Sequence, residues 1–260
     1  MMNWSDIRRN KADDSSAPVV VNVPSMACLL ADLEQRLANG RGFCIATLNL
    51  DHVVKFHQST AFRDAYTRHS HVTADGNPIV WLDRLAGHDI RLVPGSDLIE
   101  PVSDMATRLD APVALFGTTP ASLEAAAQAL NARDPGLRIV AKIAPPMGFD
   151  PEGPEADACI DDIARSGARI CFLALGAPKQ EIFAARAHDR LPETGFLSIG
   201  AGLDFISGAQ MRAPKLMRAI GAEWLWRLAG NPRRLAGRYW ACMTIFPNLT
   251  WAALRARSGG

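Results

Sequence analysis

Three observations in this 260-residue sequence predict an α/β fold, a mainly parallel sheet flanked by helices. Short β-branched apolar runs alternate with longer helical patterns, the signature of βαβ units. Polar residues and glycines gather where those runs end, the place where open parallel sheets bind ligands. The charge is also uneven. Residues 211–260 carry nine Lys or Arg and one acid, a charge of +8 on a chain whose net charge is +1, leaving −7 on the rest. Together these describe a Rossmann-like body followed by a basic helical appendage.

Element by element, residues 1–18 are polar and irregular and read as a loose arm. The segment 19–211 reads as the α/β domain and 212–260 as the appendage. Strands are predicted over 43–48, 72–74, 112–116, 137–143, 169–175 and 195–199. Helices are predicted over 26–38, 52–69, 78–86, 97–109, 120–132, 155–166 and 179–190. Asn77-Pro78 and Thr119-Pro120 read as N-caps followed by proline at the first helical position, and Pro178 of Gly176-Ala177-Pro178 is read just inside its helix. After Gly208, Leu216, Ile220, Trp224 and Leu228 recur at helical spacing. The uncharged run 239–254 is too short, and too interrupted by Pro247 and Asn248, to span a bilayer. Basic side chains interleaved with Trp224, Trp226, Tyr239 and Trp240 suit a membrane interface instead.

The apolar fraction of 48% and charged fraction of 21% are those of a globular protein with a core. The five cysteines (Cys28, Cys44, Cys159, Cys171 and Cys242) contain no C-x-x-C pair, and four lie in apolar runs, the pattern of buried free thiols in a reducing compartment. No charged-then-apolar leader opens the chain, so secretion is not expected. No G-x-G-x-x-G follows a strand, no G-x-x-x-x-G-K-[ST] occurs, and no His/Cys set has zinc spacing. Asp-x-Asp is absent as well, which favours a reaction without a metal if a sugar nucleotide is the substrate.

The candidate site residues fall at strand ends. Asp75, in "TADGNP", reads either as a turn or capping aspartate or as a general base that takes a proton from an attacking hydroxyl. The adjoining helix N-terminus lowers its pKa, which works against a strong base. "TLNLDH" offers Thr47 and Asn49 as ligand hydrogen-bonders, with Asp51 as a helix cap and His52 toward solvent or the core edge. "GAPKQE" places Gly176 and Gln180 at a strand–helix junction, where free backbone N–H groups bind phosphate. Lys179 and Glu181 there could form an ordinary exposed first turn, but the junction as a whole reads rather as a ligand site. Gly117 closes a further strand.

"TLNLDH", "TADGNPIVW", "VPGSDL", "LFGTTP", "LALGAPKQE", "IGAGLDFISG", "RAPKLMRAIGAEWLWRL" and "NPRRLAGRY" resemble, in order and spacing, the WecG/TagA/CpsF glycosyltransferases. The resemblance runs from Val19 to Tyr239. It implies an inverting, metal-independent transferase that needs no cofactor and moves a hexose or N-acetylhexosamine from a UDP-sugar. The acceptor it implies is a polyprenyl-diphosphate-linked saccharide, at the inner face of the cytoplasmic membrane, in exopolysaccharide or other cell-surface polymer synthesis. By the same resemblance Asp75 is the catalytic base, Thr47 and Asn49 belong to the pocket, and Gln180 lies beside the nucleotide sugar. Arg227, Arg233, Arg234 and Arg238 of the appendage meet the lipid diphosphate. The family often has arginine directly before its V-[PT]-G step, where this chain has Leu92, with Arg91 one residue earlier as the substitute. No nucleic-acid partner is implied, and both a membrane-docked monomer and a homo-oligomer fit. Two further readings compete: a nucleotide-linked oxidoreductase, disfavoured by the missing glycine fingerprint, and a non-catalytic membrane-binding module, which leaves the strand-end polar residues without a role.

Overall fold

All six predicted strands form: β1 (Cys44–Leu48), β2 (His71–Ala74), β3 (Val113–Gly117), β4 (Ile139–Ile143), β5 (Ile170–Ala174) and β6 (Gly195–Ser198). The computed structural model describes residues 2–5, 17–214, 217 and 223–258. The strands make one sheet in the order β2-β1-β6-β5-β3-β4, and every pairing in it is parallel. β1, β3 and β5 are buried at every position, as strands covered on both faces must be. β4 alternates between half-buried and exposed because it closes one edge.

The helices are α1 (Met26–Ala38), α2 (Leu50–Phe56), α3 (Thr60–Thr67), α4 (Asn77–Leu85), α5 (Gly95–Arg108), α6 (Pro120–Arg133), α7 (Pro154–Ser166), α8 (Lys179–Arg190) and α9 (Gly202–Ile206). The single helix predicted over 52–69 is two. Ser59 breaks it by accepting a hydrogen bond from Phe62 N–H, a side-chain cap that starts α3. Gly76, not Asn77, caps α4, and its φ of 113° lies where glycine is favoured. Pro178, not a residue inside the helix, caps α8, and the Ala177-Pro178 peptide is cis. Thr119 caps α6 as predicted, accepting from Ser122 N–H.

Helices cover both faces of the sheet. One apolar layer joins α1, α5 and α6 to the sheet through Leu33, Ile99, Val102 and Leu123. On the other face Ile160 of α7 and Phe183 of α8 pack on Phe116 and Phe196. A third cluster surrounds the β1–β2 end, and there the arm is in part anchored: Trp4 is fully buried and its backbone N–H bonds to Val19 O.

Two helices of the appendage are described, α10 (Glu223–Gly230) and α11 (Pro232–Ser258). Pro247 does not interrupt α11, which runs 27 residues and packs against α2 and α4. Its inner stripe is Leu235, Cys242, Leu249 and Ala253, all buried, and Leu249 and Ala253 belong to the β1–β2 cluster. Its outer stripe exposes Trp240, Met243, Trp251 and Leu254. Among the described residues no helix is long and apolar enough to cross a membrane. All five cysteines are free, and all but Cys28 are buried.

Candidate active site

A cavity of about 950 Å³ opens over the carboxyl ends of β2, β1, β6 and β5, four neighbours in the sheet, with α10 and α11 on its far side. Thr47 and Asn49 enter it from β1, Asp75 from β2, Gly176 and Gln180 from the β5–α8 junction, and Gly200 and Ala201 from β6. The appendage contributes Trp226, Leu235, Arg238 and Tyr239. The sheet therefore brings together five of the strand-end residues picked out in the sequence.

Asp75 is held at the end of β2 by its N–H, which bonds to Leu48 O at 2.7 Å. Thr47 Oγ1 donates toward Asp75 Oδ2 at 3.4 Å, so both the main chain and the half-buried carboxylate of Asp75 are held against the paired strand β1. Asn49 caps α2: its Oδ1 accepts from His52 N–H at 3.2 Å, which takes the capping role expected of Asp51.

Asp51 instead carries two cations. Lys55 Nζ lies 2.6 Å from Oδ2, and Arg238 Nε lies 2.9 Å from Oδ1. Lys55 Nζ also donates to Ala177 O at 3.0 Å, tying α2 to the Gly176-Ala177-Pro178 turn. Both cations line the cavity. A Cβ built on Gly176 would meet nothing within 4 Å, so the turn faces open space.

His52 is buried at the cavity wall rather than turned to solvent. Its Nδ1 lies 2.6 Å from Tyr66 Oη, and Asn49 Nδ2, a donor, lies 3.4 Å from Nε2. Both ring nitrogens of His52 therefore have polar partners within the fold. Burial, followed by the charges of Lys55 and Arg238, holds the imidazole well below its ordinary pKa and therefore neutral.

Gln180 is almost fully buried: its Oε1 accepts from Gly200 N–H at 3.1 Å, and its Nε2 donates to Glu181 Oε1 at 2.7 Å. Glu181, for which an exposed first turn is one of the two readings the sequence allows, has no exposed surface.

Three of the remaining candidates lie elsewhere. Gly117 ends β3, which the strand order places beyond β5. It packs so closely on that strand that a Cβ would come within 2.4 Å of Ala174 O. Arg91 is exposed. Leu92 bridges Ala74, which runs this segment along the outer edge of β2, and Arg91 N–H bonds to Pro24 O. Arg233 is exposed outside the lining. The side chains of Arg227 and Arg234 lie outside the described residues.

Lys55, His52, Asp51 and Glu181 were not singled out as site residues in the sequence. The first three share the α2 face that follows "TLN", a helical spacing of three and four that gives the one available signal. Among the described residues no group of three or more His, Cys, Asp or Glu is placed to hold a metal ion.

A parallel α/β protein with a carboxylate and two cations facing one polar cleft at the strand ends has the make-up of an enzyme. The sequence profile of the glycosyl transferase WecG/TagA/CpsF family matches residues 16–259, and the chain belongs to that family. It is a glycosyltransferase with a role in cell-surface polysaccharide synthesis, and the oxidoreductase and binding-module readings give way to that.

Proposed function

We propose that the enzyme transfers a hexose or N-acetylhexosamine from a UDP-sugar to a polyprenyl-diphosphate-linked saccharide, with inversion and without a metal ion or other cofactor. The observation that carries this reading is the shared cavity, in which a braced carboxylate, Asp75, and two cations, Lys55 and Arg238, line one cleft. Asp75 takes the proton of the acceptor hydroxyl. The resulting oxygen forms a bond to the anomeric carbon as the carbon–oxygen bond to UDP breaks on the opposite face. The electron pair leaves on the diphosphate, where Lys55, Arg238 and the N–H groups at the start of α8 supply positive charge. Thr47 holds the carboxylate, and Asn49 keeps α2, and with it Lys55 and His52, in place. Gln180 lies beside the sugar nucleotide.

The acceptor's lipid suits the outer face of α11. Trp240, Met243 and Trp251 are 68%, 65% and 51% exposed, Trp81 of α4 is 55% exposed, and Arg255 stacks on Trp251 at 5.2 Å. Aromatic and cationic side chains on one exposed face bind a membrane interface peripherally, and the inner, cytoplasmic face supplies the UDP-sugar.

UDP release tests the reading. The wild type, given a panel of UDP-sugars, a lipid-diphosphate acceptor and EDTA, is expected to release UDP from one donor only when acceptor is present. No release from any donor would overturn it.

A further inference from the structure

Glu181 occupies the third position of α8, where a carboxylate is usually solvated at the surface. Here no part of it is exposed. Oε1 accepts the hydrogen bond from Gln180 Nε2, and Gln180 Oε1 accepts from Gly200 N–H. Three groups thus form one chain from the β6–α9 turn, across the cavity floor, to the first turn of α8. Gly200 and Ala201 of that turn line the cavity together with Gln180. Glu181 Oε2 has no hydrogen-bond partner. A buried carboxyl with one unsatisfied oxygen costs stability that an apolar side chain of the same size would not. Stability therefore gives no reason for it, whereas fixing its neighbour does.

We propose that Glu181 is a positioning residue for the donor site, clamping the Gln180 amide between itself and Gly200 so that the cavity floor is rigid before the sugar nucleotide arrives. Gln180 is anchored at both its oxygen and its nitrogen, and its Nε2 keeps one hydrogen for a ligand. The inference deepens the proposed function, because it rests on Gln180 lying beside the sugar nucleotide.

The charge of the carboxyl adds an observable. Burial drives its pKa up to about 7, opposed by the Gln180 hydrogen bond, its own backbone N–H and the charge of Lys55. From the elements packed around α8, Lys55 and Asp51 of α2 and Tyr66 of α3 reach it electrostatically, as does Cys44 of β1. Cys44, and Cys171 of β5, are buried thiols held neutral by their surroundings. Asp157 of α7 pairs with Arg186, on a different face of α8. The clamp thus changes charge near neutral pH, and Gln180 and Gly200 sense it directly.

The test follows the Gln180 side-chain amide and the Gly200 backbone amide by ¹⁵N–¹H NMR from pH 5 to 9, without ligand, in the wild type and E181Q. The expected result is that both signals titrate together near pH 7 in the wild type and stay flat in E181Q. Wild-type signals that do not move, or that move unchanged in E181Q, would overturn the proposal. UDP binding is then measured at pH 7.5. E181Q, whose amide oxygen still accepts from Gln180, should stay within about threefold of wild type. E181L should bind at least tenfold more weakly, and E181L binding like wild type would also overturn the clamp. A wild type that titrates as expected but binds no UDP would sink the donor reading while upholding the clamp.

Discussion

At the scale of single residues the site depends on how Asp75 is held. It ends a strand one residue before Gly76, whose φ of 113° turns the chain directly into α4. The carboxylate thus stays at the cavity instead of capping the helix, the other role the sequence allowed it. General-base catalysis contributes about 10²- to 10⁴-fold, so Asp75→Ala is expected to lower acceptor-dependent UDP release by that range. Asp75→Asn should lower it equally, because an amide takes no proton. UDP affinity, measured by calorimetry, should stay within a few-fold in both, since the base acts on the acceptor. A loss of UDP binding in Asp75→Asn would instead make Asp75 a donor ligand. Gly76→Ala forces a side chain into an unfavourable backbone region at a cost of roughly 1–3 kcal/mol, and a fall in melting temperature would report it.

Between elements, α11 is joined to the body in two physically different ways. Leu249 is fully buried among β1–β2 residues. Leu249→Ala is expected to cost about 2–5 kcal/mol, read as a lower denaturant midpoint. Arg238 pairs with Asp51 while 40% of its own side chain is exposed, so the ion pair contributes about 1 kcal/mol or less. Arg238→Ala should therefore barely move the melting temperature yet reduce UDP release about tenfold or more, because its larger task is charge on the departing diphosphate. Equal effects on both measurements would make it a structural latch. The outer face of α11 gives a third outcome. Replacing Trp240 and Trp251 with serine should abolish co-sedimentation with anionic vesicles and leave the melting temperature unchanged, since neither ring is in the core.

Across the whole molecule, two kinds of buried titratable group set opposite pH limits. His69 has a pKa lowered to about 4 by burial, against an ordinary 6.5. The unfolded chain takes up that proton first, so stability falls as pH drops from about 6.5 toward 4. Glu181 is raised to about 7 from an ordinary 4.5. The unfolded chain loses that proton first, so stability falls as pH rises from about 4.5 to 7 and is level above. The Glu181 contribution amounts to roughly 3 kcal/mol at alkaline pH. E181Q should accordingly melt higher than wild type at pH 8 and the same as wild type at pH 4, a difference that thermal scans at the two pH values would show. A variant that melts alike at both would mean that Glu181 ionises as freely in the fold as outside it.

What the sequence determined by itself is local. Apolar runs bounded by turn residues marked all six strands, and Thr119-Pro120 marked a helix start. The ends of those runs pointed to Thr47, Asn49, Asp75, Gly176 and Gln180, because strand period, caps and turns depend on residues a few positions apart. The split of 52–69 escaped because Ser59 caps α3 inside an otherwise helical pattern. Tertiary structure decided which strand ends are neighbours. The order β2-β1-β6-β5 gathers those five residues and leaves Gly117 outside, although its strand end looks the same in sequence. It also turned Glu181 inward and drew Lys55 and Arg238, 183 positions apart, onto Asp51. Strand order, burial and ion pairing arise from contacts between distant segments, and no pattern of neighbouring residues specifies them.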